Sequence, residues 1–117
     1  MTQAKFTATA MPEAAQAEDQ NSTIALENQA AWHLDRAGVN GISTQEHRYH
    51  LAQVNALGEA LLAFPSARPK AHNLLGRAAL EVGRYEDAER HLAAAVKEAP
   101  EDPGIRFSLG HLALQRQ

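Results

Sequence analysis

From residue 23 onward, apolar residues recur at intervals of three and four, and turn-forming residues interrupt them at short spacings. That period is the signature of helices with one buried face. A first helix is predicted from Thr23 to Ala37, with Ile24, Leu26, Ala30, Ala31 and Leu34 apolar and Trp32 offset from them. Gly38 and Asn40-Gly41 end it, because Gly and Asn tolerate the left-handed backbone that closes helices. Ser43-Thr44-Gln45-Glu46 has the spacing of a capping box and opens a second helix reaching Ala63. Leu51, Val54, Leu57, Leu61 and Leu62 line one side of it and Ala52, Ala56 and Ala60 another, the pattern of a helix sandwiched between neighbours. After Pro65 and Pro69, a third helix spans Lys70 to Val82 and stops at Gly83. A fourth spans Tyr85 to Ala99, and Asp102-Pro103 caps a fifth that runs to the C-terminus. Residues 1–21 show no apolar period and read as a flexible tail, with Asn21 or Ser22 as the first cap.

Composition narrows the function. The apolar residues are mostly Ala and Leu, which favour helix, and no strand pattern is present. A chain of 117 residues is expected to form one domain. Its net charge of −3, with both signs interspersed, offers no basic face for nucleic acid. There is no cysteine, so disulfides and thiolate chemistry are ruled out. The N-terminus lacks the apolar core of a signal peptide and no stretch is long enough to span a membrane, so a cytoplasmic setting is expected.

The chain also repeats itself. Shifted by 34 residues, segment 69–83 meets 103–117 with Pro69 on Pro103, Leu75 on Leu109, Gly76 on Gly110, Ala79 on Ala113 and Leu80 on Leu114. Chance at this composition would give roughly one identity. Within 69–102, Leu75-Gly76, Gly83-x-Tyr85, Ala88, Leu92, Ala95 and Pro100 fall in the order of a tetratricopeptide repeat, and the chain resembles that family. His72 and Ala79 stand where the family carries Trp and Tyr. Gly76 and Ala88 are small where the two antiparallel helices approach most closely. Tyr49-x-x-Ala52 echoes Tyr85-x-x-Ala88, so residues 22–66 read as a worn copy of the unit. Segment 103–117 reads as a cap or as the first helix of a next repeat. The resemblance implies an all-α fold of about five antiparallel helices stacked as a short right-handed superhelix over residues 22–117.

The resemblance also implies a function. First helices of successive repeats line a concave groove that holds a peptide or partner protein. The matching positions are Lys70, Asn73, Arg77, Leu80 and Glu81, then Phe107, His111 and Leu114. Spacings of three and four independently place Lys70, Asn73, Arg77 and Glu81 on one helix face. Ile105, Leu109 and Leu112 form a separate apolar stripe, which leaves Phe107 and Leu114 for a groove or a further helix. Ser108, His111 and Gln115 make a polar strip. Lys70, Asn73, Arg77 and His111 suit an acidic or carboxylate-ended peptide. The chain thus reads as a scaffold or co-chaperone-like adaptor. Two alternatives are a structural subunit that self-associates through the last helix and the N-terminal module of a larger enzyme. No nucleophile elbow or phosphate loop is present, and no enzyme activity or cofactor is expected. His47 and His50, three apart, lack the further ligands of a metal site and read as solvated.

Overall fold

A computed structural model describes residues 13–117, with side chains from residue 21 onward. The described residues form helices α1 (Glu13–Ala37), α2 (Thr44–Leu61), α3 (Arg68–Glu81), α4 (Tyr85–Glu98) and α5 (Pro103–Gln115), with a 3-10 turn at Pro65–Ala67. Their ends follow the local chemistry read from the sequence. Ser43 Oγ accepts from the Glu46 amide at 3.0 Å, and Glu46 Oε1 accepts from the Ser43 amide at 3.1 Å, completing the capping box. Asp102 Oδ1 accepts from the amides of Gly104 at 2.8 Å and Ile105 at 3.3 Å, opening α5. At Gly83 the backbone turns left-handed with φ 78°. This lets the Arg84 amide return to the Ala79 carbonyl at 2.9 Å and the Gly83 amide to that of Leu80 at 3.1 Å, which ends α3.

α1 starts earlier than the apolar pattern indicates. It begins at Glu13, so Asn21, Ser22 and Thr23 lie inside the helix instead of capping it. Residues 13–20 are Ala, Glu, Gln and Asp, and most of these sustain a helix by intrinsic propensity without an apolar face. Residues 13–21, expected as part of a flexible tail, are helical, and the rest of that expectation, residues 1–12, lies outside the described residues. No described helix is long and apolar enough to cross a membrane.

The helices stack in two layers. α1, α3 and α5 lie side by side, with α2 and α4 behind them, and each helix packs on the next in sequence. One core joins Ala30, Leu34 and Ala37 of α1, Leu51, Val54 and Leu61 of α2, and Ala71, Leu74 and Ala78 of α3. A second joins Ala79 and Leu80 of α3, Ala88 and Leu92 of α4, and Leu112 of α5. α3 is therefore the sandwiched helix. α2 was expected to be, but its Ala52, Ala56 and Ala60 are exposed. Fully burying Leu61 or Leu92 contributes about 2 kcal/mol each.

The 34-residue period extends to the buried positions of α2. Val54, Gly58 and Leu61 are buried on α2, and Ala88, Leu92 and Ala95, each 34 residues on, are buried on α4. The echo of Tyr49-x-x-Ala52 with Tyr85-x-x-Ala88 is not structural, since Ala52 is exposed and Ala88 fully buried. A glycine sits at a close contact between α2 and α3 and another at a close contact between α3 and α4. A Cβ on Gly58 would lie 2.8 Å from Leu75 Cγ, and one on Gly76 would lie 2.8 Å from Leu92 Cγ.

Candidate partner-binding surface

α3 presents Lys70, Asn73 and Arg77 along the layer it shares with α1 and α5, and two of the three are tied to those neighbours. Lys70 Nζ donates to Glu27 Oε1 of α1 at 3.3 Å. Ser108 Oγ of α5 lies 2.7 Å from Asn73 Oδ1 and 3.0 Å from the Gly104 carbonyl, so its single proton serves one of two oxygens. Between these links lies an open cavity of about 240 Å³ floored by Ala31 and Leu74 and rimmed by Glu27, Asn28, Lys70 and Asp102. It is the place where α1, α3 and the cap of α5 converge. The ammonium of Lys70 has one of its three N–H groups engaged and its side chain is 61% exposed.

The remaining predicted residues lie elsewhere. Arg77 is half-buried and has no hydrogen-bond or ion-pair partner among the described residues. Glu81 is exposed beside the α1–α2 loop. Phe107, His111 and Leu114 form a separate shallow apolar depression of about 450 Å³ with Gly110, on α5 alone. Leu80, a groove position by the resemblance, is core, at 8% exposure. The polar strip of α5 also changes: Ser108 is 1% exposed and links the helix to Asn73, whereas His111 and Gln115 face solvent.

Some features have no counterpart in the sequence pattern. Two histidine pairs each bridge a second helix to its first. His33 and His50 meet at 2.9 Å between their Nδ1 atoms, and His72 and His91 at 3.1 Å, one ring donating and the other accepting. Burial, with the neighbouring His50, lowers the pKa of His33. Burial also lowers that of His91, with His72 and Arg90 adding to the effect and Glu59 and Asp87 opposing it. No spacing announces these pairs, because the partners are 17 and 19 residues apart across turns of unequal length. Trp32 and Tyr49 flank the first pair and are more than half exposed. His47 and His50 do not converge: Nδ1 of His47 meets the Ala37 carbonyl at 3.0 Å, whereas His50 turns to His33. Among the described residues no group of three or more His, Cys, Asp and Glu side chains is placed to hold a metal.

Another depression, about 480 Å³, lies at the α3–α4 turn. Both of its arginines are already paired, Arg84 with Asp87 at 3.2 Å and Arg116 with Glu89 at 2.8 Å. The cavity at Lys70 and Asn73 differs in drawing its lining from three helices and in a lysine that is 61% exposed with free N–H groups, which makes it the candidate for partner binding.

A family model described as "Tetratricopeptide repeat" matches residues 69–112. The chain is similar to tetratricopeptide repeat protein 34 of Homo sapiens, with 39% identity over 61 residues, covering 52% of this chain and 11% of that protein. It thus spans a small part of the length of that relative. No solved structure matches the chain.

Proposed function

Residues 69–112 belong to the tetratricopeptide repeat family, whose repeats generally mediate protein–protein interaction, and from that premise we propose that this chain is an adaptor or scaffold holding a partner peptide on its α1–α3–α5 layer. The observation that carries the proposal is the cavity at Glu27, Lys70, Asn73 and Asp102, where three successive first helices meet. Lys70 retains free donors there, and Arg77 is uncommitted on the same helix. Both favour a peptide carboxylate, by charge and by hydrogen bonding. Glu27 and Asp102 oppose a densely acidic ligand, so a single terminal carboxylate fits better than an acidic run. The role is binding without catalysis, as in a co-chaperone-like adaptor.

The test is a titration of the full chain with a short acetylated peptide ending in a free carboxylate, against its amidated form, read by amide NMR. Affinity on the order of micromolar is expected, weakening roughly tenfold for the amidated peptide or for Lys70→Ala. Equal binding of both peptides, or a response confined to residues 1–20, would remove the proposal.

A further inference from the structure

We propose that His72 of α3 and His91 of α4 chelate one divalent metal ion of the zinc class through their Nδ1 atoms, pinning the two helices to each other. The two Nδ1 atoms lie 3.1 Å apart, with the ring centroids at 5.4 Å and the ring planes inclined by 35°. With Zn–N bonds of about 2.0–2.1 Å, two nitrogens on one ion stand about 2.8–3.4 Å apart, from cis octahedral to tetrahedral geometry. The rings are therefore already set at the bite of a chelate, and neither helix has to move. A linear two-coordinate ion would need about 4 Å between the same atoms, which disfavours it. Imidazole suits zinc, nickel and copper(II), whereas magnesium and calcium take oxygen ligands.

Without metal the two rings share a hydrogen bond, which needs one of them in the Nδ1–H form. Coordination needs a lone pair on both Nδ1 atoms. The Nδ1 proton leaves to water and another is taken up at Nε2 of the same ring. Both imidazoles then remain neutral, each carries its N–H at Nε2, and no net proton is released. Both rings are half-buried, so solvent reaches the pair.

The surroundings choose between the two histidine pairs. His91 lines a cavity of about 240 Å³ among α2, α3 and α4, together with Glu59 and Asp87, and the charge of both carboxylates acts on its ring. Asp87 is committed to Arg84 and Arg90 on the same wall. Glu59 is exposed and has no hydrogen-bond or ion-pair partner among the described residues. It is the available anion to offset the charge of the ion, by accepting from a metal-bound water. Water fills the remaining positions, since among the described residues no three side chains converge as ligands. The His33–His50 pair is as closely spaced, at 2.9 Å, but its ring neighbours are Trp32 and Tyr49, and no carboxylate bears on His33.

The probe is zinc sulfate, titrated at neutral pH into the full isotope-labelled chain after treatment with EDTA, and read by the nitrogen resonances of the histidine side chains. The Nδ1 resonances of His72 and His91 are expected to move together, with both rings settling in the Nε2–H form, and the melting temperature to rise with zinc. Glu59→Gln weakens zinc binding about tenfold. His91→Gln keeps the bulk and a hydrogen-bonding end of the side chain, and it loses both the shift at His72 and the rise in melting temperature. His50→Gln leaves the response at His72 and His91 unchanged. Nδ1 resonances of His72 and His91 that stay in place at millimolar zinc overturn the proposal, as does a response confined to His33 and His50. A rise in melting temperature retained by His91→Gln also overturns it, since the ion then binds elsewhere.

Discussion

Leu92 of α4 occupies the volume that a side chain at position 76 of α3 would need. The equivalent position on α5, Gly110, faces open space. Two glycines of one repeat pattern therefore sit in different surroundings, and they should respond oppositely to the same substitution. Gly76→Ala gains helix propensity but forces the fully buried Leu92 to move, and a net loss of about 1 kcal/mol is expected. Gly110→Ala meets no neighbour and should stabilise by about 0.5–1 kcal/mol. Urea unfolding of both variants decides this; two losses of equal size would mean that the outer face of α5 is covered.

Ser108 Oγ lies 2.7 Å from Asn73 Oδ1 and links α5 to α3 at a position only 1% exposed. Ser108→Ala and Asn73→Ala should each destabilise by about 1 kcal/mol, and the double variant by less than their sum. Additive losses in the double-mutant cycle would show that the link carries no energy of its own.

Acid should weaken the fold through its histidine pairs. The folded pKa values of His33 and His91 lie below the ordinary 6.5, so the unfolded chain binds protons more readily. Their contribution to stability is full above about pH 6.5 and declines as pH falls below it. Melting temperature measured from pH 7.5 to 5 should fall, and fall less steeply in His91→Gln, a variant that removes one titrating group.

Lys70→Ala removes an ion pair whose lysine is largely exposed, and such pairs contribute less than about 1 kcal/mol. The variant should unfold within that margin of the wild type and lose the difference in high salt. A larger loss in chemical denaturation would make Lys70 a structural residue and weaken its use as a probe of binding.

Much of the fold was legible because its causes are local. Ser43-x-x-Glu46, Asp102-Pro103 and Gly83 act within one turn of chain, and each ends or starts a helix where the sequence places it. The start of α1 was not legible from apolar period, since residues 13–20 are helical without one. The candidate surface was legible only as a set of positions on helix faces. Lys70 and Asn73 share a face of α3, but that face borders two different helices, and each side chain turns to a different one.

By itself, the sequence determined the helices, the 34-residue period and the small residues that allow close approach. These depend on propensity, capping and side-chain volume, all written within a few residues of one another. Tertiary structure decided which apolar faces are used up. α3 is covered on both sides and α2 on one, and of two equivalent leucines Leu80 is core and Leu114 lies in water. That difference depends on whether a helix is present next door, which no residue of α3 or α5 encodes. The same holds for the histidine pairs and for the cavity at Lys70, which exist only where separate helices converge.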